Sequence, residues 1–273
     1  MKKCAVINDL SGFGKCSLTA ALPIISAMGV EVHPLLTAVL SNQTAYDSYK
    51  AVSLTGDMKP FYDEWKKLGA SFDSILTGFV TDEKQLDIIS DFIGEFKTEN
   101  TLLVVDPIMA DNGKLYDGYD ENMCKKIIEL CYKADVITPN IAELAVIAGM
   151  PFSTYLNDIM SYGKMLIDKG IKRIVASGFI SCDEISNIVF EGDDVKIITA
   201  KKHGSYYSGT GDILSSVICA GLTKGMPLCE STELATAFIE KAVESTDSAS
   251  PNDGVSFEKH IKMLIEGCEK YEQ

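Results

Sequence analysis

Apolar positions along this chain follow two rhythms. Short, almost wholly apolar runs occupy residues 4–7, 30–35, 74–76, 102–105, 136–138 and 173–177. They predict strands covered on both faces, because a strand with one wet face alternates apolar and polar residues instead. Longer segments at 17–28, 59–68, 83–96, 121–132, 141–148 and 158–169 repeat apolar residues every three to four positions, which predicts amphipathic helices. Strand–helix alternation predicts an α/β fold, a doubly wound and mostly parallel sheet flanked by helices. Two further runs, 186–190 and 195–199, are split by Glu191-Gly192-Asp193-Asp194, which predicts a hairpin at an antiparallel edge. No repeat, low-complexity tract or linker interrupts this order, so a single domain over residues 1–273 is expected.

In sheets of this kind ligands bind beyond the carboxyl ends of the strands. The residues expected there are Asn8-Asp9-Leu10-Ser11-Gly12, Thr77-Gly78-Phe79, Asp106-Pro107, Thr138-Pro139-Asn140 and Ser177-Gly178. A last stretch, Gly209-Thr210-Gly211-Asp212, precedes apolar residues at 213, 214, 217, 218 and 222, a helix ended by Gly225 and Pro227. Gly209, Thr210 and Gly211 then form the turn into a helix N-terminus, where free N–H groups and the helix dipole attract anions. A carboxylate at Asp212 repels phosphate in that setting, unless it accepts a proton from the group attacking the phosphate. The plainer alternative is an N-cap aspartate. Asp106, Asp111 and Glu143 offer oxygen ligands for magnesium, which needs only one or two carboxylates beside substrate phosphates. Asn140 and Glu143 alone read equally as a capping box. An anion cradle, a divalent-cation site and a carboxylate base are together the parts of phosphoryl transfer.

Composition narrows the classes. Hydrophobic residues are 46% and charged residues 23%, as in soluble globular chains, and the net charge of −14 argues against nucleic-acid or anionic-membrane partners. No apolar stretch approaches the roughly 18–20 residues of a membrane span, and the N-terminus is too short for a signal peptide. Eight scattered cysteines with no C-x-x-C pair, beside only three histidines, argue against zinc and against a disulfide framework. Reduced thiols and a cytoplasmic location are expected. Two decoys fall short. Gly14-Lys15 lacks the following Ser or Thr and the earlier glycine of a phosphate loop. Gly12-Phe13-Gly14-Lys15-Cys16-Ser17 lacks the third glycine of a dinucleotide fingerprint, which leaves a dehydrogenase as a minor alternative.

Four segments carry a resemblance over essentially the whole chain: 40–46 (LSNQTAY), 106–109 (DPIM), 138–143 (TPNIAE) and 209–212 (GTGD). The last two resemble the N-x-x-E and G-x-G-D motifs of the ribokinase-like superfamily, and the first is similar to vitamin B6 kinases. The resemblance implies a ribokinase-like fold and ATP-dependent phosphorylation of the 5′-hydroxymethyl group of pyridoxal, pyridoxine or pyridoxamine. It implies Asp212 as base, the amides of 209–212 as anion hole, and Asp106, Asp111 and Glu143 around Mg2+ and the ATP phosphates. Thr138, Asn140 and Ser177 fall in the nucleotide region, with K+ as a candidate monovalent cation. Asp9, Thr44 and Phe79 fall at the alcohol pocket, and relatives are commonly homodimers. Where many relatives have serine this chain has Asp9, where many have tyrosine it has Phe79, and Gln43 replaces a common histidine. Substrate preference is what those departures touch, so hydroxymethylpyrimidine kinases of the same fold are the alternative. A catalytically silent B6- or nucleotide-binding protein is the alternative of another class.

Overall fold

The structure is a computed structural model that describes residues 1–204, 206–247 and 250–271. Its centre is a nine-stranded sheet. Strands β1 (Lys3–Ser11), β2 (Glu31–Leu40), β3 (Ala51–Ser53), β4 (Ser74–Thr77) and β5 (Leu102–Val105) belong to it. A two-stranded ribbon of β6 (Ala110–Asp111) and β7 (Lys114–Leu115) stands apart. The main sheet resumes with β8 (Val136–Ile137), β9 (Arg173–Ser181), β10 (Glu184–Glu191) and β11 (Asp194–Lys201). The spatial order is β11-β10-β9-β8-β5-β4-β1-β2-β3. Pairing is parallel from β2 through β1, β4, β5 and β8 to β9, while β3, β10 and β11 are antiparallel.

Helices cover both faces. Residues of α2 (Thr55–Lys67), α3 (Glu83–Phe96), α4 (Glu121–Lys133), α5 (Ile141–Ala148) and α6 (Leu156–Asp168) pack with Ala5 and Ile7 of β1 in one core. Residues of α1 (Ser17–Ala27), α7 (Thr210–Thr223), α8 (Leu228–Glu244) and α9 (Ile261–Cys268) pack with Cys4 and Val6 in the other. Alternation along one strand therefore feeds two cores, which is why the strand reads as uniformly apolar. Among the described residues no helix is long and apolar enough to cross a membrane.

The chain leaves β1 for β2 on one side and returns to β4 on the other. That reversal opens a crevice at the carboxyl ends of β1 and β4, the switch point where such sheets bind ligands. The expected hairpin is present as β10 and β11, with Gly192 at φ +60° in its two-residue turn. Several boundaries differ from expectation. β1 and β2 run on to Ser11 and Leu40, so Asp9 lies within the first strand rather than after it. α2 begins at Thr55, four residues before the expected start, because Gly56 and Pro60 mask its first turns. The pairs β6–β7 and β2–β3 are too short to show a period. The β6–β7 turn is nevertheless legible after the fact, since Asn112 and Gly113 both take positive φ, the Asn-Gly signature of a tight hairpin.

Candidate active site

The glycine turn and Asp212 meet the end of β1 through two helix N-termini. Gly209 is the N-cap of α7 with φ +82°, and no side chain caps the helix. A Cβ at Gly209 would collide with the Lys15 carbonyl oxygen, so this position requires glycine twice over. A Cβ at Gly211 would meet nothing within 4 Å, so the open space of the crevice lies directly before the helix end. Asp212 follows in the first turn of α7 and is not its N-cap, which removes the plain capping alternative.

Asp212 keeps part of its surface open to the crevice while protein surrounds its carboxylate. Asn8 Nδ2 donates to its Oδ1 at 3.3 Å. Burial pushes its pKa up to about 6 and nearby Asp9 adds to the rise, while the Ser17 backbone N–H and the Asn8 amide favour the ionised form. Ser17 opens α1 with φ +49°, a strained value for a residue with a Cβ. Asp9, 3% exposed, accepts from Ser11 Oγ at 2.9 Å, and burial raises its pKa against the pull of the Ser17 and Ser11 hydroxyls. Lys15, a possible partner by sequence position, pairs with Glu258 at 2.8 Å instead.

Across the crevice, Asp106 directly follows β5 and Glu143 sits in the first turn of α5. Burial raises both pKa values, and each is raised further by a neighbouring carboxylate: Asp212 acts on Asp106, and Asp106 on Glu143. The hydroxyls of Ser215 and Thr138 oppose the rise at Asp106. The buried Oγ1 of Thr138 has no hydrogen-bond partner among the described residues, although its hydroxyl lies near enough to Asp106 to favour the ionised form. Glu143 Oε2 accepts from the Asn140 N–H at 2.9 Å and Oε1 from the Met109 N–H at 3.1 Å. Asn140 Oδ1 caps α5 through Ala142 and Glu143, and its Nδ2 reaches the Ala110 carbonyl at 2.8 Å. The capping box is therefore real. Asp111 is bound at both oxygens by Asn112, at 2.9 and 3.0 Å. Among the described residues no group of three or more acidic, histidine or cysteine side chains is arranged to hold a metal by direct ligation. Among the same residues, no basic side chain lies within salt-bridge distance of Asp9, Asp106, Glu143 or Asp212.

The remaining candidates divide. Ser177 stands beside Asn140 through a parallel bridge, with its N–H on the Pro139 carbonyl at 2.8 Å. Phe79 is half-buried, its ring tilted against Tyr119 and its N–H on Asn8 Oδ1 at 2.9 Å. Thr44 is exposed on the loop between β2 and β3. Its neighbour Gln43 is buried and fully occupied: Nε2 donates to Ser208 at 3.2 Å and to the Asn252 carbonyl at 3.1 Å, and Oε1 accepts from Ala45. Tyr46 OH donates to Asp253 at 2.5 Å. Gln43 thus staples that loop to residues 208 and 252. The sequence places Asn8 at the rim and Ser17 at a helix start but assigns neither a role. Asn8 offered one signal, a polar residue directly following an apolar run, whereas nothing in the sequence marks the backbone of Ser17.

A profile of the phosphomethylpyrimidine kinase family matches residues 18–256. The chain is similar to a Bacteroides thetaiotaomicron protein provisionally described as a phosphomethylpyrimidine kinase and solved with pyridoxal. The TM-score is 0.91, with 36% identity over 96% of this chain and 95% of that one. The crystal structure of a pyridoxal kinase from Lactobacillus plantarum matches with a TM-score of 0.90 and 28% identity, covering 100% of both chains. A pyridoxal kinase from Dictyostelium discoideum is 29% identical over 250 residues, which is 84% of this chain and 78% of its own.

Proposed function

This chain belongs to the phosphomethylpyrimidine kinase family, and on that footing we propose that it phosphorylates the 5′-hydroxymethyl group of vitamin B6 vitamers with ATP. It is a phosphotransferase acting on a hydroxyl group, with the ribokinase-like fold of the pyridoxal kinases. The observation that carries the reading is Asp212, held in the first turn of α7 directly behind the open space at Gly211. The N–H groups at the start of α7 cradle the transferring phosphoryl group, which then lies within reach of the carboxylate. As the acceptor oxygen bonds to the γ-phosphorus, the bond to the β–γ bridging oxygen breaks and ADP leaves with that electron pair. The hydroxyl proton passes to Asp212. With its pKa at about 6, Asp212 is mostly ionised at neutral pH, yet basic enough to take the proton.

Among the described residues the buried carboxylates lack a basic partner, which suits a hard divalent cation carried in with the nucleotide. Asp106, beside the unpartnered Thr138 hydroxyl, is the residue best suited to hold its water shell, with Glu143 behind it. Magnesium would neutralise charge on the phosphates there. Asp111, fully engaged by Asn112, lies at the edge of this scheme. Thr138, Asn140 and Ser177 flank the nucleotide, and Asp9, Thr44 and Phe79 the alcohol. The resemblance extends the reading to a K+ site and to a cytoplasmic homodimer. Two relatives named for pyridoxal kinase activity, and a third solved with pyridoxal, favour B6 vitamers. The family profile itself favours hydroxymethylpyrimidine as the second acceptor. ADP release with Mg-ATP and each acceptor in turn separates the two.

A further inference from the structure

We infer that Asn8 is a positioning residue for the transfer: its side-chain amide, locked in one orientation, holds the Asp212 carboxylate in register with the Phe79 segment. This rests on the reading of Asp212 as base. Asn8 lies on β1 and is 4% exposed. Its Oδ1 accepts from two backbone N–H groups, those of Asp9 and Phe79, each at 2.9 Å. Only an oxygen can accept there, so the amide nitrogen is forced to the opposite side. On that side it meets Asp212 Oδ1 at 3.3 Å. At 3.3 Å this contact is at the long end of the hydrogen-bond range.

The amide also has no room to swing. A Cβ built on Gly78 would overlap it, so the Gly78 backbone packs directly against the Asn8 side chain. The ladder between β1 and β2 shifts register between Asn8 and Leu10, a bulge of the kind that re-aims side chains beside active sites. Asn8 thereby bonds to the Asp212 carboxylate and to the backbone of both Asp9 and Phe79. Misplacing a base by about 1 Å can cost on the order of 10²-fold in rate, which is what such a lock prevents.

Asn8→Asp tests this directly. The new carboxylate keeps acceptors for the Asp9 and Phe79 N–H groups but turns an acceptor toward Asp212. With kcat and KM measured by ADP release, positioning predicts a kcat loss on the order of 10- to 100-fold, with KM for ATP within about twofold of wild type. In an Asp212→Asn background the same change costs little more, because the group it positions is gone. A purely structural role predicts wild-type kcat in Asn8→Asp, and that result overturns the inference. If Asn8→Asp does not accumulate as folded protein, Asn8→Ala decides in its place: reduced kcat at unchanged KM for ATP supports positioning, and unchanged kcat overturns it. An inactive wild type defeats the kinase reading instead, a fully active Asp212→Asn defeats the assignment of Asp212 as base, and both are distinguishable from the outcomes above.

Discussion

Asp212 sits where a carboxylate is least welcome to a phosphate, and its surroundings explain how it serves there. Burial and Asp9 raise its pKa, while Asn8 and the Ser17 N–H keep the ionised form accessible. Asp212→Asn should lower kcat by about 10²–10⁴-fold with acceptor KM little changed. Near-normal turnover would remove Asp212 from the chemistry. As the proposed base, the same residue should set the acid limb of the pH profile. Its folded pKa is raised from 3.8 to about 6, so the basic form disappears below that pH. Initial rates should therefore give kcat/KM falling about tenfold per unit below pH 6, and a flat profile down to pH 4.5 would contradict it. Asp212 and its glycines were legible because their chemistry is carried by residue type. The parts played by Asn8 and Ser17 were not, although Asn8 was placed at the rim, since one depends on the orientation of an amide and the other on a left-handed backbone angle, and neither quantity is written in a residue name.

Among the elements, α7 and α5 each combine a cap with chemistry, and their variants should separate the two. Gly209→Ala places a methyl against the Lys15 carbonyl at a positive φ, so it should lower both stability and activity. Gly211→Ala meets no protein atom, so thermal unfolding should stay near wild type while activity falls on the order of tenfold or more as the methyl fills the cradle. Equal loss of Tm in both variants would deny that the space at Gly211 belongs to a ligand. In α5, Glu143→Gln turns an amide toward N–H groups that now meet carboxylate oxygens, and should cost about 0.5–2 kcal/mol of stability. The magnesium concentration for half-maximal activity should move more in Asp106→Asn than in Glu143→Gln, and the opposite order would make Glu143 the closer support. Helices α3 and α5 matched their expected bounds because a cap marked the start of each, followed by an apolar stripe in α3 and an almost wholly apolar run in α5. β1 was read as ending at residue 7, because its continuation through Asn8 and Asp9 buries polar residues that the apolar rhythm assigns to a loop.

For the whole molecule, the reversal of strand order at β1 brings Asp9, Asp106 and Asp212 from distant stretches of chain to one crevice. The parallel order follows from strand–helix alternation; which strands flank the reversal does not, since helix lengths alone leave the crossings open. Crowding buried carboxylates there stores a conflict between stability and activity. A carboxyl whose folded pKa is raised binds more protons folded than unfolded, so its stabilising effect is present at low pH and lost as pH rises through the folded value. Between pH 7.5 and 5.5, wild type should gain more Tm than Asp212→Asn does, while its turnover declines. Equal gains in the two proteins would mean that Asp212 does not carry the strain. The account stands most directly on one measurement, ADP release with Mg-ATP against pyridoxal, pyridoxine, pyridoxamine and hydroxymethylpyrimidine in parallel. It predicts that at least one B6 vitamer gives the highest kcat/KM of the set. Hydroxymethylpyrimidine exceeding every vitamer would contradict the B6 assignment, and no ADP release with any acceptor would contradict the kinase itself.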